Sequence, residues 1–123
     1  MDNQESLALQ KHRDWKGKLE ITPRAPVSTA EALALAYTPG VADPCLKIQE
    51  DINNSYIYTR RHNLIAVVTD GSAVLGLGNI GPEAAMPVME GKCALFKAYE
   101  SVAAFPLCLT TQDGEQTIRS ILL

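Results

Sequence analysis

Leu64-Ile-Ala-Val-Val-Thr-Asp-Gly-Ser-Ala-Val-Leu-Gly-Leu-Gly-Asn-Ile-Gly81 runs into Pro82 to Ser101 and then into Ala104-Phe-Pro-Leu-Cys-Leu109. Leu64 to Thr69 is rich in β-branched residues and almost wholly apolar, the composition of a strand buried on both faces. Asp70-Gly71 is turn chemistry, and Ala73 to Leu77 returns as a second strand, so the two are expected to pair as a hairpin. A helix follows to Ser101, starting near Pro87 or already at Pro82, because proline suits a first turn better than an interior. Ala104 to Leu109 reads as a further buried strand, and Asp113-Gly114 opens a last helix carrying Ile118, Ile121 and Leu122. Buried strands alternating with helices predict a three-layer α/β/α domain with a small mixed sheet.

The long helix places one lysine unusually. Val88, Lys92, Leu95 and Tyr99 recur at intervals of four, three and four, which is one helical face. At about 100° per residue, Glu90 and Lys97 fall roughly 140–160° from Lys92, and Ser101 lies opposite it. Lys92 thus shares the apolar face. A lysine pressed towards a core loses solvation, its pKa falls, and it becomes usable as a base near neutral pH. The competing reading is a lysine that snorkels along its stem to the surface.

Gly76-Leu-Gly-Asn-Ile-Gly81 matches G-x-G-x-x-G between a strand and a helix, the setting of a dinucleotide fingerprint. Three features count against that use. The preceding strand reads as the return arm of a hairpin, Pro82 removes an amide that could bind phosphate, and the next suitable acidic residue is Asp113, too far along the chain. A glycine-rich turn that packs closely and presents polar residues to a small ligand fits better.

Upstream, residues 1–27 are polar and punctuated by Pro23 and Pro26, and read as an N-terminal arm with one short helix. Residues 28–123 form the domain proper. Ser28 with Glu31 makes a capping box, and Ala-Leu-Ala-Leu-Ala continues as a helix to about Ala36. Thr38-Pro39-Gly40 stops it in a turn. Asp43-Pro44 starts another helix that ends at Asn53-Asn54, and Tyr56 to Thr59 has the composition of a short strand. Tyr37 ends the first of these helices beside a stiff turn. A phenol held there suits a proton donor; it would equally serve as an aromatic lid over the helix end.

The 123 residues carry 46% apolar and 20% charged side chains and a net charge of −3, an ordinary globular balance with no basic footprint for nucleic acid. No apolar run approaches the roughly 18 residues of a membrane span. The polar stretch from Met1 to Lys18 lacks the apolar segment of a signal peptide. Cys45, Cys93 and Cys108 are isolated and odd in number, and read as reduced core residues of a cytoplasmic protein. His12 and His62 have no partner at ligand spacing, and no cluster of acidic residues has hard-cation spacing. The final Ser120-Ile-Leu-Leu123 carries no cap, which reads as a chain that continues further.

Tyr37-Thr-Pro-Gly-Val-Ala42, then Val68 to Gly81, then Pro87-Val-Met-Glu-Gly-Lys92 resemble, in this order, the malic enzyme family, and its smaller bacterial branch most closely. The likeness runs from about Trp15 to Leu123 and concerns the N-terminal domain of the family. It implies oxidative decarboxylation of malate to pyruvate and carbon dioxide, with NAD or NADP as hydride acceptor and Mg2+ or Mn2+ as Lewis acid. It also implies a homo-oligomer, commonly a homodimer. The family's tyrosine falls on Tyr37 and its lysine on Lys92. In the family's scheme the lysine takes the proton of the C2 hydroxyl, and the tyrosine side returns a proton to C3 of enolpyruvate. The resemblance puts the glycine loop on the substrate side, so no cofactor-binding residue is assigned to this chain. The larger, eukaryotic-type members hold a malate carboxylate with an arginine in the preceding turn. Gly71-Ser72-Ala73 has none, which leaves Ser72 and the amide of Asn79 as substrate-binding substitutes. Metal ligands and the nucleotide domain are expected beyond Leu123, so the 123 residues alone should be inactive. Two further readings stay open: a non-catalytic assembly module, and a nucleotide-binding domain built on Gly76 to Gly81.

Overall fold

The structure, a computed structural model, describes residues 5–122, which divide into two units, residues 5–20 with 65–122 and residues 21–64. In the first unit, α1 (Leu7–Trp15) is followed later in the chain by β1 (Leu64–Thr69), α5 (Pro82–Glu100), β2 (Ala103–Cys108) and α6 (Gly114–Leu122). β1 and β2 form a two-stranded parallel sheet, and α5 is the crossover that packs back onto β2. The α/β class is therefore as expected. The hairpin is not: Ala73 to Leu77 is no strand, and the loop closes on itself through a single antiparallel bridge between Val74 and Gly78. Gly76 and Gly78 both have positive φ, so the chain curls between them before it could extend along β1.

The long helix starts at Pro82, the earlier of the two positions considered, with Gly81 as its N-cap. Pro87 is interior and gives no N–H to the Glu83 carbonyl. Ala85, Met89 and Cys93, four residues apart, are the buried stripe of α5, and Val74 joins them. That stripe lies about a quarter turn from the Val88–Lys92–Leu95–Tyr99 face. The expected placement of Lys92 towards the core is thus corrected. The face it shares is apolar but open, with Leu95 56% and Tyr99 79% exposed, and Lys92 itself is exposed.

The arm after α1 lies along α5. Lys16 takes a left-handed conformation as the C-cap of α1, and Gly17 has φ of 104°. The Lys18 backbone amide donates to the Glu90 carboxylate at 2.9 Å, and the Lys18 ammonium donates to the Pro87 carbonyl at 2.9 Å. Glu90, expected on the wet face, is half-buried by this contact.

The second unit is helical: α2 (Ala30–Ala36), α3 (Ala42–Glu50) and α4 (Ser55–Tyr58), joined by short 3-10 turns. α2 is capped by Thr29, whose hydroxyl accepts the Ala32 N–H at 3.1 Å, one residue after the expected Ser28. α3 begins at Ala42 with Val41 at its cap position, so Asp43 lies in the first turn. Tyr56 to Thr59 is not a strand. Asp51 caps the preceding 3-10 turn, and the Thr59 hydroxyl donates to the Ser55 carbonyl at 2.6 Å, so local side-chain bonds keep the segment coiled despite its aromatic, β-branched composition. Gly40 closes the α2–α3 connection: a Cβ there would meet the Ala34 carbonyl oxygen at 2.6 Å.

Candidate active site

The loop from Asp70 to Gly81 is built on one close approach. Gly71 has φ of +72°, and its carbonyl accepts the N–H groups of Ile80 and Gly81 at 3.1 and 3.2 Å. This ties the end of β1 to the start of α5. The Asp70 carboxylate accepts the Ser72 N–H at 2.9 Å. The Ser72 hydroxyl and that amide together hold the Asp70 carboxyl below its ordinary value. The exposed Ser72 hydroxyl carries two lone pairs that can accept from an incoming donor. Asn79, exposed at the far end of the loop, pairs side chain to side chain with Gln112: Asn79 Nδ2 donates at 3.1 Å and Gln112 Nε2 donates back at 2.9 Å.

The G-x-G-x-x-G stretch does not form a phosphate cradle of the dinucleotide type. Gly76 lies at the tip of the turn closed by Val74 and Gly78, and the strand that leads into the loop is β1, ended at Thr69 before the glycines begin. Lys92 is on the open face of α5, where it lines a shallow apolar depression of about 300 Å3 with Leu95, Phe96, Tyr99 and Glu100. Tyr37 belongs to the other unit. It is the C-cap residue of α2, donates its N–H to the Leu33 carbonyl at 2.8 Å, and is 65% exposed. The Thr38–Pro39 peptide that follows is cis. Ser72, Asn79 and Lys92 therefore share the first unit, and Tyr37 is carried by the second.

Among the described residues no three His, Cys, Asp or Glu side chains group as a metal site. The three cysteines are free thiols. Cys93 is buried as expected and Cys108 half-buried, with its sulfur 3.9 Å from that of Met86. Cys45 is exposed, a correction to its expected burial: it lies on the part of α3 that nothing in its own unit covers. Gln112 and the tether role of Glu90 escaped the reading of the sequence. Gln112 stands in no periodic or motif position, and each residue acts through a partner 33 or 72 residues away, which no local pattern reveals.

Residues 16–121 match the malic enzyme N-terminal domain, and the chain belongs to the malic enzyme family. It is 55% identical over 116 residues to a bifunctional malic/malolactic enzyme of Bacillus subtilis, covering 94% of this chain and 28% of that protein. It is 50% identical over 102 residues to an NADP-dependent malic enzyme of Haemophilus influenzae, covering 83% of this chain and 14% of that one. The crystal structure of an NAD-dependent malic enzyme from Thermotoga maritima superposes with a TM-score of 0.90 at 50% identity, over 95% of this chain and 33% of that one. The chain thus spans a third or less of the length of these relatives. Among the described residues no helix is long and apolar enough to cross a membrane.

Proposed function

We propose that this chain is the N-terminal, substrate-side domain of a cytoplasmic, homo-oligomeric NAD(P)-dependent malic enzyme that oxidatively decarboxylates malate to pyruvate. The observation that carries the reading is the match over residues 16–121 to the malic enzyme N-terminal domain, which includes Tyr37 and Lys92 within the motifs that resemble the family's. In this reading Lys92 takes the proton of the substrate's C2 hydroxyl and Tyr37 returns a proton to C3 of enolpyruvate. The free lone pairs of Ser72 suit the substrate hydroxyl, and the carboxamide N–H of Asn79 suits a substrate carboxylate. The described residues do not fit the Mg2+ or Mn2+ site or the NAD(P) site that the resemblance implies: no acidic donor set groups among them, and the glycine loop, though it joins β1 to α5, closes on itself through the Val74–Gly78 bridge and leads into Pro82, which has no N–H for a pyrophosphate. Both groups belong to other parts of the enzyme, and the 123 residues alone are inactive in this reading. The same bridge and proline disfavour a nucleotide-binding domain built on Gly76 to Gly81. The assembly-module reading draws support from the open apolar faces of α5 and α6 and is compatible with the first.

The test uses the full-length enzyme. Lys92→Ala should lose turnover by a factor on the order of 10²–10⁴ with its fold kept. Tyr37→Phe retains ring packing and should lower turnover while stability changes by no more than about 0.5–1.5 kcal/mol. Near-normal turnover in Lys92→Ala removes the base assignment. A large stability loss with intact turnover in Tyr37→Phe makes that residue a lid.

A further inference from the structure

We propose that Gln112 is a positioning residue for the substrate-side loop: its carboxamide, paired with that of Asn79, holds Asn79 and the glycine turn where a substrate carboxylate is bound. The inference rests on the assignment of Asn79 to substrate binding made above. The loop needs such a tether. A Cβ at Gly76 or Gly78 would find nothing within 4 Å, and Leu75 is wholly exposed, so the tip of the turn has no packing of its own. Its base is fixed by the two N–H groups given to the Gly71 carbonyl. Among the described residues, the loop's side-chain link to a distant segment is the Asn79–Gln112 pair, at 3.1 and 2.9 Å across 33 residues.

The anchor at the other end is stiff. Gln112 lies between β2 and α6, in a turn fixed by the Asp113 carboxylate, which accepts the Glu115 and Gln116 N–H groups at 2.8 and 3.3 Å. The Thr111 hydroxyl adds a bond to the Gln116 side chain at 3.0 Å. Each carboxamide has two N–H donors and two lone pairs on oxygen. The reciprocal pair spends one donor and one acceptor of each. If both amides turn over together the pair is restored, so in either orientation Asn79 keeps one N–H for a ligand while its plane stays fixed. A glutamate at 112 could only accept, a leucine could do neither, and an asparagine is one methylene shorter. Glutamine at this place meets the demand without adding charge beside an anionic substrate.

The test is steady-state kinetics with malate on the full-length enzyme and its Asn79→Ala, Gln112→Leu and Asn79→Ala/Gln112→Leu variants. Gln112→Leu should raise KM for malate about three- to tenfold, the value of one hydrogen bond, and leave kcat within about twofold. The double variant should be no worse than Asn79→Ala alone, because the glutamine acts through the asparagine. An unchanged KM in Gln112→Leu, whatever its Tm, overturns the inference and makes the pair a structural clip. An unchanged KM in Asn79→Ala removes Asn79 from the site and the inference with it. A raised KM in Asn79→Ala beside a normal one in Gln112→Leu overturns the positioning role alone. If Gln112→Leu does not fold, Gln112→Met, which keeps the chain's length and flexibility, is read by the same criteria.

Discussion

A methyl group on Gly71 would lie 2.0 Å from the Gly81 carbonyl oxygen and 2.7 Å from the Pro82 nitrogen, both rigid backbone. Gly71→Ala must therefore part the end of β1 from the start of α5 or strain a left-handed alanine. The expected loss is on the order of 3 kcal/mol, visible as a lower midpoint in urea. Gly76→Ala has the same sign of φ but open space around it, and should cost only about 1 kcal/mol. Equal midpoints for the two variants would refute the close-approach argument. The thiols give a second contrast. Burial, and then the negative charge of Glu90, raise the Cys93 pKa; burial and Glu83 raise that of Cys108. A raised thiol favours the neutral form, so its contribution to stability is complete below the ordinary thiol value and is lost as pH rises through the raised one. At neutral to mildly alkaline pH, a thiol reagent should modify exposed Cys45 quickly and Cys93 only after unfolding. Comparable rates for the two would contradict the burial of Cys93. Tyr37 and Lys92 were both legible as residues of interest, one from the Thr-Pro-Gly turn and the other from helical spacing. Which side of α5 faces the core was not, because small Ala85 and Cys93 outrank the larger Leu95 and Tyr99 in burial, and volume alone pointed the wrong way.

At the scale of elements, β1, α5, β2 and α6 could be read from periodicity and punctuation, since long apolar or strongly periodic runs carry their own signal. The expected hairpin failed because two glycines with positive φ curl the chain, and the expected strand at Tyr56 failed because serine and threonine hydroxyls bond backbone carbonyls locally. Neither effect has a period. The docking of the arm is a third element that sequence patterns hide, since it rests on one amide, one ammonium and one carboxylate. Glu90→Ala removes the acceptor for the Lys18 N–H, and half-burial of the site limits the loss to about 1 kcal/mol. The consequence should be local. Amide exchange at Lys18 and tryptic cleavage after Lys16 and Lys18 should quicken while β1 and β2 keep their protection. Unchanged exchange at Lys18 would show that the arm is held by something other than Glu90.

The apolar surface of the molecule exceeds what a self-sufficient domain leaves open. Val74, Ala85, Met89 and Cys93 are the buried hydrophobic residues among those described, whereas Leu95 and Tyr99 on α5, Ile118, Ile121 and Leu122 on α6, and Leu35 and Ile57 in the helical unit are all more than half exposed. Large apolar side chains exposed along one helix face mark contact with another protein surface. On α6 the three residues lie three and one apart, on one side of the helix. The 123-residue chain on its own should therefore self-associate as its concentration rises. Charge is a poor alternative cause: with a net −3 the copies repel weakly, and screening by salt would change little. Hydrophobic association instead strengthens in sulfate and weakens on cooling. Sedimentation equilibrium across a concentration series, repeated with added sulfate and at low temperature, separates these causes. A molecular mass that stays monomeric at every concentration sinks the prediction, and association abolished by moderate sodium chloride assigns it to charge. Association that grows with sulfate and fades in the cold identifies the uncovered helix faces as its source, and Leu95→Ser with Ile121→Ser should then return the chain to a monomer.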